Sequence, residues 1–388
     1  MTLDSSVYGN VGTPRVYVDY IQYAKAIGYV DRYICGNVAN FPLTDGSVWD
    51  FNPANMNRYY HDGENPAGNF HFQVRFKNWQ ANPENRQWSR FLGTMNYYGI
   101  LGHKMGAQCR EGIGLNIVNS YMYNDSQPLG ESMFNSSRVA GIVGDAMSCG
   151  NELGFSLYEI IHPGGYSEND NWSRYGLFFY KQAVNQSEEP FSTDEYLDIG
   201  CLTAGRYFDF PFAPDLNVKL NYEYDGIKRA RTVGGSDITN ITYYKSPQWG
   251  DMPPWQHIAL DHYNGNYSDA LANENYSQVA FTGRRSWTVK FSYVDKTDMI
   301  PKSFDGNISG EYFSQNSQFD SASNGTNIKD NFLATFASLS LGGNLKFIFQ
   351  PDNTKKDFCF CVLDRGGVSL NQTSPGMYDV TLTFVETW

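Results

Sequence analysis

Strict alternation of apolar and polar residues is the feature that most limits how this chain can fold. Residues 69–77 read N-F-H-F-Q-V-R-F-K, with Phe70, Phe72, Val74 and Phe76 on one side and His71, Gln73, Arg75 and Lys77 on the other. A period of two is the period of a strand with one face buried. The pattern returns at R-R-S-W-T-V-K-F-S-Y, where Trp287, Val289, Phe291 and Tyr293 alternate with Thr288, Lys290 and Ser292. Leu345, Phe347 and Phe349 alternate before Pro351. Around 358–363, Phe358, Phe360 and Val362 oppose Cys359, Cys361 and Leu363, so that strand is expected to be buried on both sides. The last residues place Tyr378, Val380, Leu382, Phe384 and Trp388 on one face, which makes Trp287, Tyr378 and Trp388 structural candidates.

Helical signals are few. D-Y-I-Q-Y-A-K-A-I, from Asp19 to Ile27, predicts a short helix closed by Gly28, and a second is expected from Asp330 to Ala337 with the Asp in capping position. Gly, Asn, Asp and Pro clusters at 62–69, 124–130, 162–171, 247–254, 264–269, 305–310 and 320–327 punctuate many short strands. The fold class read from this is mostly β: a β-sandwich, jelly-roll-like module and a second β-sandwich or barrel domain, with few short helices. At 388 residues two domains fit comfortably. Residues 1–87 are expected to pack as N-terminal strands with the C-terminal domain, residues 88–214 to form the sandwich module and residues 215–388 the second β domain.

Composition narrows function. Only 18% of residues are charged and the net charge is −12, with no Lys/Arg cluster interleaved with aromatics, so nucleic acid is not an expected partner. No apolar run approaches the roughly 18 residues of a membrane span, and the N-terminus lacks a basic segment followed by an apolar stretch. The six cysteines, at 35, 109, 149, 201, 359 and 361, lack metal-ligand spacing and are expected to be buried free thiols, suited to folding in a reducing cytoplasm. About ten N-x-S/T sequons accompany a composition already rich in Asn, Ser and Thr, and chance accounts for them.

Catalytic constellations are not found. His103 follows an apolar strand without a G-x-S-x-G nucleophile motif, and His257 and His262 lack the H-E-x-x-H spacing. Glu188, Glu189, Asp194 and Glu195 are neighbours in a polar loop rather than two carboxylates held roughly 5 to 10 Å apart across a sugar. T-V-G-G-S-D at 232–237 has no Lys for a phosphate and reads as a turn. No enzymatic activity, cofactor or metal is expected. Loop aromatics carry more weight: Tyr59 and Tyr60 in N-M-N-R-Y-Y-H, Tyr121 and Tyr123 in Y-M-Y, and Trp249 and Trp255 in S-P-Q-W-G-D-M-P-P-W are candidates for a protein interface or for stacking on a sugar ring.

Several segments resemble virion structural proteins of tailed, marine-type bacteriophages. They are T-P-R-V-Y-V-D-Y at 13–20, N-Y-Y-G-I-L-G-H-K at 96–104, G-R-Y-F-D-F-P-F-A-P-D-L-N-V at 205–218, Y-D-G-I-K at 224–228, G-R-R-S-W-T-V-K-F-S-Y at 283–293 and F-I-F-Q-P-D-N at 347–353. The ending, with Gln372, Tyr378, Val380, Leu382, Glu386 and Trp388, is similar to that of distal tail and baseplate hub proteins. The resemblance implies a non-enzymatic subunit of the tail tip or baseplate, assembled in the bacterial host cytoplasm. Such a subunit self-associates into a ring, sixfold if the hub resemblance holds, and docks other tail proteins. It also implies an alternative, a carbohydrate-binding module that recognises host-surface glycan. Lys104 stands where the family usually has Asn, a departure that weakens the sugar-binding implication.

Overall fold

The computed structural model describes residues 12–36, 47–52, 57–61, 70–77, 95–101, 115–123, 155–159, 174–182, 188–189, 196–216, 218–223, 227–241, 284–300, 331–354, 358–364 and 368–387. Among these the protein is mostly β and every strand pairing is antiparallel.

A ten-stranded sheet forms the framework. Its strands are β1 (Arg15–Asp19), β5 (Tyr97–Leu101), β7 (Phe155–Glu159), β11 (Cys201–Asp209), β12 (Lys219–Glu223), β15 (Arg284–Asp295), β16 (Phe347–Gln350), β17 (Cys359–Leu363), β18 (Leu370–Ser374) and β19 (Met377–Glu386). They run in the order β12-β15-β19-β17-β16-β1-β11-β5-β7, and β18 pairs with β19. The segments 1–87, 88–214 and 215–388 all contribute strands to it. A five-stranded sheet combines β2 (Val30–Gly36), β4 (Phe70–Phe76), β8 (Arg174–Gln182) and β6 (Leu115–Tyr123), with β9 (Glu188–Glu189) beside β8. Two ribbons hydrogen-bond to neither sheet: β3 (Asn57–Tyr60) with β10 (Tyr196–Ile199), and β13 (Ile227–Arg231) with β14 (Asp237–Ile241). Neither large sheet closes into a barrel among the described residues, which corrects the barrel alternative.

Alternation decides what each face buries. Phe70, Phe72, Val74 and Phe76 of β4 are buried, as expected, and join one apolar cluster with Val16 and Val18 of β1, Phe347 and Phe349 of β16 and Phe384 of β19. That cluster holds the inner layer between the sheets. Tyr17, Tyr97, Leu101, Cys201, Ile348 and Phe360 lie on the other face of the large sheet and form a second buried cluster. The central strands are therefore covered on both faces, which explains why 358–363 lacks a polar side. Gln73 departs from the alternation: it falls on the polar face of β4 yet is also buried.

Among the described residues, two short α-helices and a π-helical segment sit against this framework. The first, α1 (Tyr20–Ala26), starts at Asp19, whose side chain accepts from the Gln22 N–H, and Gly28 follows it at φ +77°, a conformation that costs glycine little. The Asp330 expectation is corrected by one residue. A π-helical segment, Phe332–Ala337, is capped by Asn331, whose side-chain Oδ1 accepts from the Ala334 N–H at 2.8 Å. The other short helix, α2 (Lys296–Met299), is capped by Asp295.

Candidate functional site

Residues 15, 17 and 19 of β1 share one face of the strand and meet the second buried cluster. Two strand partners make this row possible, β11 on one side and β16 on the other. Asp19 lies at the end of β1 and works for two elements at once. One carboxylate oxygen caps α1, and the other accepts from the Thr203 hydroxyl at 2.6 Å and the Ala204 N–H at 3.2 Å. Tyr97 shares a hydrogen bond with Thr203 at 3.2 Å. Gly205 stands opposite Asp19 in the register, and a Cβ there would lie 2.0 Å from the Val18 carbonyl oxygen. Burial pushes the Asp19 carboxyl up to about 6, against the opposing pull of the Thr203, Gln22, Ala204 and Ile21 hydrogen bonds. Asp19 is only 3% exposed, so it serves as a cross-link between strands and offers no surface to a substrate.

Tyr17, next in the row, packs edge-on against Tyr97 with centroids 5.1 Å apart and donates to Gln350 Oε1 at 2.8 Å. Burial raises its phenol well above the ordinary tyrosine range. Arg15 completes the row as a fork on Asp209, with both N···O distances 2.7 Å, while its guanidinium lies 4.1 Å from the Tyr207 ring centre.

The same device occurs twice more. Arg58 of β3 forks onto Asp198 of β10 at 2.8 and 2.9 Å and lies over Tyr196 at 3.8 Å. Arg285 of β15 reaches Glu386 of β19, donates to the Phe358 carbonyl at 2.7 Å and lies 5.0 Å from Trp287. Each unit joins two strands through a planar guanidinium that holds a carboxylate and covers an aromatic ring. A sequence signal exists for it: Arg15-x-Tyr17, Arg58-x-Tyr60 and Arg285-x-Trp287 each place a cation and a ring on one face, and Tyr196-x-Asp198 and Tyr207-x-Asp209 supply the complement.

The aromatic candidates divide. Tyr59 and Tyr60 are strand residues of β3, not loop residues, because pairing with β10 orders them. Tyr59 is buried with its ring 5.1 Å from Phe72, which removes it from any interface, while Tyr60 is 40% exposed beside Tyr196. Tyr121 and Tyr123 also belong to a strand, β6, paired with β8. Trp249, Trp255 and Trp388 lie outside the described residues. Trp287 is buried against Phe349, and Tyr378 is half-buried on β19. Glu188 and Glu189 form β9 rather than a loop, whereas His103, Asp194, Glu195, His257 and His262 lie outside the described residues.

Cys35, Cys201, Cys359 and Cys361 are free thiols, and Cys109 and Cys149 lie outside the described residues. The sulfurs of Cys359 and Cys361 face the same layer 2.9 Å apart, and burial pushes the Cys359 thiol up. Among the described residues no group of three or more His, Cys, Asp or Glu is placed to hold a metal, and no helix is long and apolar enough to cross a membrane. Comparison with protein-family models, with curated proteins and with solved structures gives no match to this chain.

Proposed function

We propose that this chain is a structural subunit of a tailed bacteriophage virion, placed at the tail tip or baseplate, where it associates with copies of itself and docks other tail proteins without catalysing a reaction. The supporting observation is where the resembling segments fall. T-P-R-V-Y-V-D-Y contains β1, N-Y-Y-G-I-L contains β5, G-R-Y-F-D contains most of β11, G-R-R-S-W-T-V-K-F-S-Y opens β15, F-I-F-Q is β16 and Y-D-V-T-L-T-F-V-E lies within β19. With β17 between β19 and β16, these strands are consecutive neighbours in the large sheet. Most of the resemblance thus falls on one continuous sheet, stapled by Arg15–Asp209 and Arg285–Glu386, while Y-D-G-I-K at 224–228 reaches into the β13–β14 ribbon.

Particle labelling tests the proposal. Antibody raised against the purified chain and imaged on intact tailed particles is expected to mark the tail tip. Label confined to the capsid, or absent from purified particles that contain all their tail proteins, would overturn it.

A further inference from the structure

Five of the nine large apolar side chains exposed among the described residues fall in one stretch of chain: Leu216, Val218, Leu220, Val233 and Ile238. The register explains the first group. Leu220 stands opposite Trp287 in the pairing of β12 with β15, so it shares the face on which Trp287, Val289 and Phe291 are buried. Val218 alternates onto the same face, and Leu216, which precedes it, is 96% exposed. An apolar row that is covered on β15 therefore continues uncovered onto β12, the last strand of the sheet among the described residues.

The chain then builds the ribbon β13–β14, which pairs with no other described strand. Its turn is set by its own bonds: Thr232 N–H donates to the Ser236 carbonyl at 2.8 Å, Ser236 N–H to the Thr232 hydroxyl at 3.0 Å, and Gly235 takes φ +86°. The described side chains are exposed on both faces of the ribbon, Arg229 and Arg231 on one and Lys228, Ala230 and Ile238 on the other, with Val233 at the tip. A two-stranded ribbon is marginal in water by itself, and no described side chain of this one is buried, so a surface to lie on would stabilise it. Charge indicates which surface. The ribbon carries three cations against Asp237, within a chain of 41 acidic and 29 basic residues and net charge −12.

We infer that β12 and the β13–β14 ribbon form the contact between copies of this chain. The ribbon of one copy lies as a cationic arm on the net-negative body of the next, and the Val218–Leu220 row is covered in the same contact. This deepens the assembly reading and rests on it. A second copy is the occupant because every copy carries both halves of the match: a ribbon with Lys228, Arg229 and Arg231 against Asp237, on a chain whose net charge is −12. An arm that reaches a different patch on its neighbour makes a heterologous contact, the kind that closes rings.

Sedimentation velocity of the full chain at micromolar concentration tests the inference. The wild type is expected to sediment as an oligomer that weakens as salt rises, since exposed charges are screened within about 8 Å at physiological ionic strength. The variant Lys228→Glu/Arg229→Glu/Arg231→Glu is expected to sediment as a monomer with the wild-type melting curve. Val233→Asp, which alters only the tip, is expected to raise the apparent dissociation constant roughly tenfold. Variants that melt like the wild type and still assemble would overturn the inference and leave the tail-tip reading intact, as would a wild-type chain that labels the tail tip yet stays monomeric. A duplex DNA shift abolished by the triple variant, with sedimentation unchanged, would overturn it in favour of a phosphate partner.

Discussion

The Thr203 hydroxyl donates to Asp19 across 2.6 Å although the two residues are 184 positions apart, and this bond ties the start of α1 to the middle of the sheet. The carboxyl it serves titrates at about 6 because burial outweighs its hydrogen bonds. A free Asp titrates near 3.9, so between about 4 and 6 the folded protein binds more protons than the unfolded chain. Stability from this group is therefore complete below about pH 4 and is lost as pH rises through 6, by about 3 kcal/mol for a shift of about two units. Urea midpoints measured from pH 4 to 7 are expected to carry this contribution in the wild type and to lack it in Asp19→Asn. The Asn variant keeps the helix cap, but its NH2 group faces the Ala204 N–H. It is expected to lose about 1 to 3 kcal/mol at low pH for that unsatisfied donor.

Removing residues 380–388 is expected to abolish folding rather than assembly alone. Val380, Leu382 and Phe384 oppose Phe291, Val289 and Trp287 and are buried, and β19 also pairs with β17 and β18. Three such side chains are worth roughly 5 to 9 kcal/mol, against a total stability of about 5 to 15 for a whole domain. Thermal melts with size-exclusion profiles check this: the truncated chain aggregates or melts without cooperativity. A soluble, cooperatively melting truncate would instead mean that the strand is an arm.

Gly205→Ala is expected to cost about 3 kcal/mol or more, because its new methyl group would meet the Val18 backbone oxygen and push β1 from β11. Gly28→Ala has nothing within 4 Å and pays only for its positive φ, about 1 to 2 kcal/mol. Comparing the two melting temperatures separates crowding from backbone strain.

Glu386→Gln is expected to destabilise by roughly 3 to 5 kcal/mol, because Arg285 keeps a buried charge without its counterion. Arg285→Lys retains the charge but loses the fork and the bond to Phe358, and is expected to cost less. A double-mutant cycle with Arg285→Met and Glu386→Leu, followed by denaturant unfolding, measures the coupling. The double variant recovers most of the loss.

The sequence makes faces legible but leaves partners obscure. Phe70 to Phe76 and Trp287 to Phe291 announce their buried sides, and Asp19 with Gly28 brackets α1, because a period of two and a capping pair are local properties. Nothing local says that β1 lies between β11 and β16, since alternation fixes what a strand buries and not which strand it joins. Tyr59, Tyr60, Tyr121 and Tyr123 looked like loop residues for the same reason: polar neighbours hide a strand whose order comes from a distant partner. The Arg–carboxylate units were legible only in halves, as Arg-x-aromatic and aromatic-x-Asp fragments far apart in the chain. The shift from Asp330 to Asn331 as a cap reflects two adjacent residues with equally suitable side-chain oxygens.

The place of β1 also sets a timetable for synthesis. Arg15 waits for Asp209, 194 residues later, and Tyr17 waits for Gln350, 333 residues later. At about 5 to 20 residues per second, a ribosome needs roughly 15 to 70 seconds between Tyr17 and its partner. For that interval a strand designed for burial on both sides has no finished sheet to enter. The nascent chain must keep Val16, Tyr17 and Val18 from pairing with other chains, and the large sheet is complete only when the last third of the chain emerges.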